Sequence, residues 1–513
     1  MATIIQSIGL KGIEGYRVQV EIQMVQGKEG ISIVGLPDAS VKESKDRVLG
    51  ALAANDCELP ERRIIINLSP SEQRKNSPLF DLAMAVGLMK EVGHFSEKIP
   101  EEVVFLGVLS LDGSIKSVEG MMPAIIAAKQ EGFKTLYLPF VNELPFQQID
   151  GLELRFVQNI EEVIQSFSGQ TSLFLQQRNS SNRESSDSFI PVYPKDFKDI
   201  IGLKQEKRAL EIAAAGGHNV LMSGPPGCGK SMLAETFLSI LPLLTQNEQF
   251  EVMSIYQLAG KKRDSYRLPP FRSPHHSSSA ISLVGGGNQP KPGEVSLAHN
   301  GVLFLDEMPE FPKRTIDMLR QPLESGKVTI SRASSSATYP SRFILIGAMN
   351  PCPCGFLGAR NKYCTCTTKQ IQAYQSRISG PMKDRFDLLL SVQSALIVKD
   401  ITQPVETSED IRKRVIAARN RQYERYGEGI NNANASNDLF LEKNPLSHNQ
   451  RIMLQQWSSK EQFSNRVQLK ILKLARTISD LQGEEMITNE SLWEAISLRR
   501  NEQKINQKWQ VNG

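Results

Sequence analysis

The chain has 513 residues, 40% hydrophobic and 23% charged, an ordinary globular composition with room for about three domains. A net charge of +4 excludes bulk electrostatic attraction to nucleic acid, so any such site must be local. No apolar run approaches the ~20 residues of a membrane span, and Met1-Ala2-Thr3-Ile4-Ile5 lacks the basic-then-apolar form of a signal peptide, so the expected location is cytoplasmic.

Residues 1–168 are expected to form a mixed α/β domain. Arg63 to Leu68 and Val103 to Val108 have the β-branched, apolar run of strands, and Phe80 to Val92 and Met121 to Glu131 have helical patterning. Residues 169–192 read as a flexible linker, because Arg178 to Ser188 contains no apolar residue and has no means of building a core. No repeat array is present.

Residues 193–400 carry the strongest motif. Gly224-Pro225-Pro226-Gly227-Cys228-Gly229-Lys230-Ser231 matches G-x-x-x-x-G-K-[ST], between an apolar strand pattern at Asn219 to Met222 and a helix pattern at Met232 to Leu238. Such a loop lets backbone N–H groups and a helix N-terminus surround phosphate. Lys230 is expected to reach the β- and γ-phosphates of ATP, and Ser231 to bind Mg²⁺. Val302-Leu303-Phe304-Leu305 reads as a strand buried on both faces, ending in Asp306 and Glu307. Asp306 would hold Mg²⁺ through water and Glu307 would polarise the attacking water; helix capping is the bland alternative for this pair. Phe343 to Met349 is another buried strand, ending in Asn350, which either orients the water beside Glu307 or makes a turn before Pro351. His275 and His276, flanked by serine and proline, are expected to order a loop.

Four of the six cysteines fall within fifteen residues, as Cys352-Pro353-Cys354 and Cys364-Thr365-Cys366. Four thiolates can close a tetrahedral Zn²⁺ site that fixes a loop. Four free thiols or a redox pair are the alternatives. Cys57 and Cys228 read as plain small residues. From a second boundary near Ser394 to Thr407, residues 401–513 are mostly helical. Glu406 to Tyr426 is a long charged helix, and Val467, Ile471, Leu474, Ile478 and Leu481 form an amphipathic stripe.

The order of phosphate loop, Asp-Glu strand, terminal Asn and Ser379-Gly380-Pro381-Met382-Lys383-Asp384-Arg385-Phe386-Asp387 resembles an AAA+ ATPase. The resemblance implies that Arg385 reaches a neighbouring subunit's nucleotide; a surface salt bridge with Asp384 or Asp387 is the alternative. It further implies that Arg466 is the second sensor arginine of a helical lid, with Arg476 close enough in sequence to compete, and that Ile201 and Gly202 lie at the adenine pocket. Phe271 to Ser277, Val284 to Gly287 and Pro292 to Gly301 are similar to the magnesium-chelatase-like branch. That branch implies an insertion loop facing a ring's pore and a hairpin over Lys327 to Arg342. Arg332 and Arg342 there would either contact phosphate backbones or be solvated.

Leu111 to Ile115, Val118 to Gly120, Gly132 to Pro139 and Lys75 to Ala85 resemble the Lon-protease-like fold, related to ribosomal S5 domain 2. Leu79 stands where that protease has its serine, Met122 stands near the place of its lysine, and Ser77 is followed by Pro78, so a noncatalytic domain is expected. Over nearly its whole length the chain resembles the YifB/ComM family. What this implies is a hexameric ring driven by ATP along single-stranded or branched DNA, a helicase or branch-migration motor that supports integration of transforming DNA. A chelatase-like or protein-remodelling ATPase is the alternative.

Overall fold

The computed structural model describes residues 2–75, 77–95, 97–140, 149–167, 191–287, 290–331, 336–359, 362–393 and 406–510, with side chains to 499. The expected linker at 169–192 lies outside them except for 191 and 192, as do Arg332 and the boundary segment at 394–405. The chain divides into two compact units. The first comprises Met1–Ile190, Gln249–Asp264 and Thr329–Tyr339; the second comprises Pro191–Glu248, Ser265–Val328 and Pro340–Gly513.

The first unit is built on a seven-stranded mixed sheet. Its strands are β1 (Thr3–Lys11), β2 (Glu14–Val25), β3 (Gly30–Val34), β4 (Arg63–Ser69), β5 (Val103–Phe105), β6 (Thr135–Leu138) and β7 (Glu153–Phe156). They lie in the order β3-β4-β2-β1-β5-β6-β7, with β1–β2 and β2–β4 antiparallel and the other pairs parallel. The helix Asp81–Val92 is apolar nearly all round and buried, as a helix laid across a sheet must be. Gly87 lets it approach, since a Cβ there would stand 2.4 Å from Ile22 Cδ1. The predicted strand Val103 to Val108 is interrupted. Gly107 leaves the ladder, donating to Leu79 O (3.1 Å) and accepting from Leu82 N (3.1 Å), so the strand yields to the turn that opens the helix. Leu79 and Met122 are both fully buried.

The second unit is built on five parallel strands: β8 (Val220–Ser223), β9 (Phe271–Arg272), β10 (Gly301–Leu305), β11 (Phe343–Met349) and β12 (Leu388–Ser391). Their order is β9-β10-β11-β8-β12. The chain thus begins in the middle of the sheet, moves to one edge, returns, and ends on the other side of β8. Ligands bind at the carboxyl ends of such strands, where the order reverses. The C-terminal residues form helices Ser408–Tyr426, Asn437–Lys443, His448–Glu461, Asn465–Gln482 and Asn489–Gln510. Thr407 caps the first of these with Asp410 in a reciprocal box, which sets its start two residues after the predicted Glu406. Ile471, Leu474 and Ile478 are fully buried in the same apolar core as Val220 and Met222, while Val467 and Leu481 pack at its border. Among the described residues no helix is long and apolar enough to cross a membrane.

Candidate nucleotide site

Because β8, β10 and β11 are parallel neighbours, the groups that follow them emerge at one edge. A cavity of about 400 Å³ opens there, lined by Pro226, Lys230, Ser231, Asp306, Glu307 and Asn350 among others. Gly229 has φ of +97, a conformation a side chain would strain, and it caps the helix Lys230–Thr236. The Lys230 amine donates to Gly224 O (2.6 Å), Pro225 O (3.0 Å) and Asn350 Oδ1 (3.3 Å). All three are neutral acceptors. Ser231 Oγ donates to Asp306 Oδ2 at 2.9 Å, and Asp306 Oδ1 accepts from the Glu307 amide at 2.9 Å. A hydroxyl beside a carboxylate is a hard oxygen pair of the kind Mg²⁺ prefers. The Glu307 carboxylate is half exposed and 3.7 Å from the His276 ring.

His276 is a contact the sequence did not disclose. His275 shares a hydrogen bond with Ser277 (2.8 Å) and so orders its loop as expected, whereas His276 stands against Glu307. The flanking motif has a structural basis: Arg272 grips Glu294 through two hydrogen bonds of 2.5 and 2.8 Å. This joins the Phe271–Ser277 and Pro292–Gly301 segments. Gly285–Gly286 pairs antiparallel with Lys291–Pro292. Ile201 is exposed and neither it nor Gly202 lines the phosphate cavity; the next residue, Leu203, comes close to Gly229 instead.

Arg385 and Arg466 do not line this cavity. They line a second one, of about 460 Å³, together with Glu324, Arg342, Lys470 and Lys473. Both arginines bind one oxygen of Glu324, Arg466 at 3.0 Å and Arg385 more closely. Arg466's hydrogen bond, with Arg385 adding to it, holds the Glu324 carboxyl below its ordinary range. Burial lowers the Arg385 guanidinium, and its Nε and Nη1 are buried with no hydrogen-bond partner among the described residues. Asp387 is not the partner of Arg385. It is buried and held by Lys470 (2.7 Å), with His218 3.7 Å away; burial alone would raise its carboxyl, but Lys470, with the His218 ring beside it, outweighs that and holds it below the ordinary range. Asn219 ties the region together: it donates to Asp387 Oδ2 (2.8 Å) and Arg385 O (3.2 Å), and accepts from Leu345 N (2.8 Å). Arg342, expected on the hairpin, has its backbone held by His299 and Asn300 at the base of that hairpin.

Arg476 is excluded as a surface-facing sensor. It is 1% exposed and donates to Asp480 Oδ1 (2.9 Å) and to the Glu485 carbonyl (2.8 Å). Asp480 is shared with Arg425 (2.6 Å) and Asn432 (2.8 Å), a buried network that fastens the helices to one another.

The four cysteines converge. Their sulfurs all lie within 4.8 Å of one another, with Cys352 3.3 Å from Cys354 and 3.6 Å from Cys364. Tetrahedral Zn²⁺ with bonds of about 2.3 Å separates sulfurs by about 3.8 Å, so the donor set fits. Burial pushes the Cys352 thiol up to about 12. Cys354 is also raised by burial, but the Phe356 and Thr365 amides outweigh that and bring it down to about 6, where the thiolate that binds metals forms readily.

Three family models match the chain: "Magnesium chelatase, subunit ChlI" over residues 196–399, "Subunit ChlI of Mg-chelatase" over 20–142, and "Magnesium chelatase, subunit ChlI C-terminal" over 405–499. The chain is 39% identical to competence protein ComM of Haemophilus influenzae over 503 residues, and 37% identical to YifB of Escherichia coli over 503 residues, each covering 97% of both chains. Lon protease 2 of Bacillus subtilis is 30% identical over 186 residues, 32% of this chain and 34% of that one. The architecture is therefore a Lon-like N-terminal α/β domain, a central AAA+ α/β domain and a helical C-terminus.

Proposed function

The chain belongs to the magnesium-chelatase-like AAA+ family of ComM and YifB, which implies ATPase activity with ATP and Mg²⁺, and from that premise we propose that it is a ring-forming ATP-driven motor on single-stranded or branched DNA. The observation that carries this reading is likeness along 97% of both chains to a protein named for competence, joined to a complete phosphate cavity. Helicase or branch-migration work during integration of transforming DNA is the activity that fits such a relative.

In this reading Gly224 to Ser231 bind the phosphates, with Ile201 and Gly202 beside the adenine. Lys230 offsets charge on the β- and γ-phosphates. Mg²⁺, held by Ser231 and through water by Asp306, would neutralise charge on the phosphate oxygens. Glu307 polarises the attacking water and Asn350 orients it, with His276 setting the resting place of the Glu307 carboxylate. Arg385 and Arg466 act together on the nucleotide of the next subunit, probed across a hexameric ring. Their shared position away from the phosphate cavity of their own chain supports that division. Cys352, Cys354, Cys364 and Cys366 hold Zn²⁺, and the N-terminal domain is a noncatalytic scaffold in a cytoplasmic assembly.

The decisive experiment is the ATPase rate with no DNA, single-stranded DNA and forked DNA, across a salt series. Stimulation by DNA that weakens steeply with salt is expected. No stimulation and no salt-dependent binding would rule out DNA as the load and favour a protein substrate, which the same pore loops are able to grip.

A further inference from the structure

The strand β11 delivers the chain from the phosphate cavity straight into the cysteine knuckle: Met349 ends the strand, Asn350 lines the cavity, and Cys352 is fully buried two residues later. Three contacts tie this run to the phosphate loop. The Gly224 amide donates to Met349 O at 3.2 Å. The Lys230 amine donates to Asn350 Oδ1 at 3.3 Å. Inside the knuckle, Gly355 has φ of +80 and lies flat against Pro226: a Cβ built there would stand 2.7 Å from Pro226 Cδ and 2.8 Å from Pro226 Cγ. A proline ring does not yield as the end of a flexible side chain would. Gln375 clamps the far side by donating to Pro351 O at 3.0 Å.

The phosphate loop thus has a wall behind it, and the wall is the knuckle that the four thiolates would close around a metal. We propose that this metal centre sets nucleotide affinity by holding Gly355 against Pro226, so that the phosphate loop keeps its receptive shape only while the metal is bound. The proposal rests on the Zn²⁺ reading of the four cysteines. It gives the centre a role in ligand binding rather than in local folding alone. With zinc removed, the two C-x-C arms lose their common ligand and the support behind Pro226 goes with it.

Gly355→Ala crowds the contact with all four cysteines in place; at a φ of +80 it also strains the backbone, and the double variant with Pro226→Ala separates the two effects. On the full-length chain, zinc per chain is counted by elemental analysis and affinity is measured with a fluorescent ATP analogue. Zinc near one per chain with at least a tenfold loss of affinity is expected. The pair Pro226→Ala with Gly355→Ala removes the opposing ring atoms and should recover most of that loss relative to Pro226→Ala alone. Chelation of the wild-type chain should lower affinity similarly, and added Zn²⁺ should restore it. Zinc retained in Gly355→Ala with affinity within twofold of wild type would overturn the coupling while leaving the zinc reading intact. Freshly reduced wild-type chain without zinc would overturn the zinc reading and the coupling with it.

Discussion

The two cavities of the second unit are made of similar residues and are electrostatic opposites. Around the phosphate loop every named group has a local partner: Lys230 has carbonyls and Asn350, Ser231 has Asp306, and Glu307 has His276. Around Arg385 the cations outnumber the carboxylates, one glutamate serves two arginines, and two guanidinium nitrogens are buried without partners among the described residues. Leaving such donors unpaired costs about 1–3 kcal/mol, which a self-contained site would not retain. In the proposed reading the first cavity is a finished receptor, and the second is a half that an incoming anion would complete.

That contrast breaks most sharply at Arg385. Arg385→Ala should cut ATP hydrolysis by about 10³-fold or more, the scale of an arginine finger, while nucleotide binding to the isolated chain stays unchanged. Mixing it with a Lys230→Ala chain should recover part of the activity, since each supplies the half the other lacks; a mixture as inactive as its components would mean that the halves do not meet. Arg476→Ala should destabilise the chain by about 3–5 kcal/mol, seen in denaturant unfolding, because Asp480 would keep a buried charge short of a partner. Arg466→Ala, at the exposed start of the same helix, should leave the unfolding midpoint in place and slow hydrolysis. Lys230→Ala should weaken nucleotide binding by about 10- to 100-fold, the worth of a charge-assisted hydrogen bond. The smallest change is Glu324→Gln. If Glu324 occupies the arginines until a phosphate displaces it, the protein concentration giving half-maximal ATPase should fall a few-fold. A rise would assign Glu324 to the assembled site instead.

The phosphate loop was legible in the sequence because its chemistry is local: eight consecutive residues fix glycine, lysine and serine where backbone geometry requires them. The strands carrying Asp306 and Asn350 were legible for a related reason, as apolar runs that only a doubly covered parallel sheet accommodates. The second cavity was not. Glu324 and Arg466 meet across 142 positions, and no spacing rule announces such a pair. His276 was hidden by its own surroundings, since a histidine between proline and serine suits a loop, and only the fold puts Glu307 beside it. Arg466 and Arg476 sit on one helix with similar neighbours in sequence. Burial, a property of the packed lid, separates them. Within the first unit, the single strand expected from Val103 to Val108 yielded to a backbone contact with Leu79, another long-range event.

Asn219 sits immediately before β8, and the phosphate loop immediately after it. β8 is four residues long, about 13 Å of extended chain. Its front end meets the phosphate loop; its back end, through Asn219, holds the carbonyl of Arg385 and the strand that leads to Asn350. Hydrogen-bonded to a parallel neighbour on each side, such a strand is stiff along its length. In the proposed ring a displacement imposed at the loop would be passed to the arginine, so each subunit would report its own occupancy to the site next door. A ring of the proposed kind, wired this way, would have a built-in firing order, set by the direction in which these strands point.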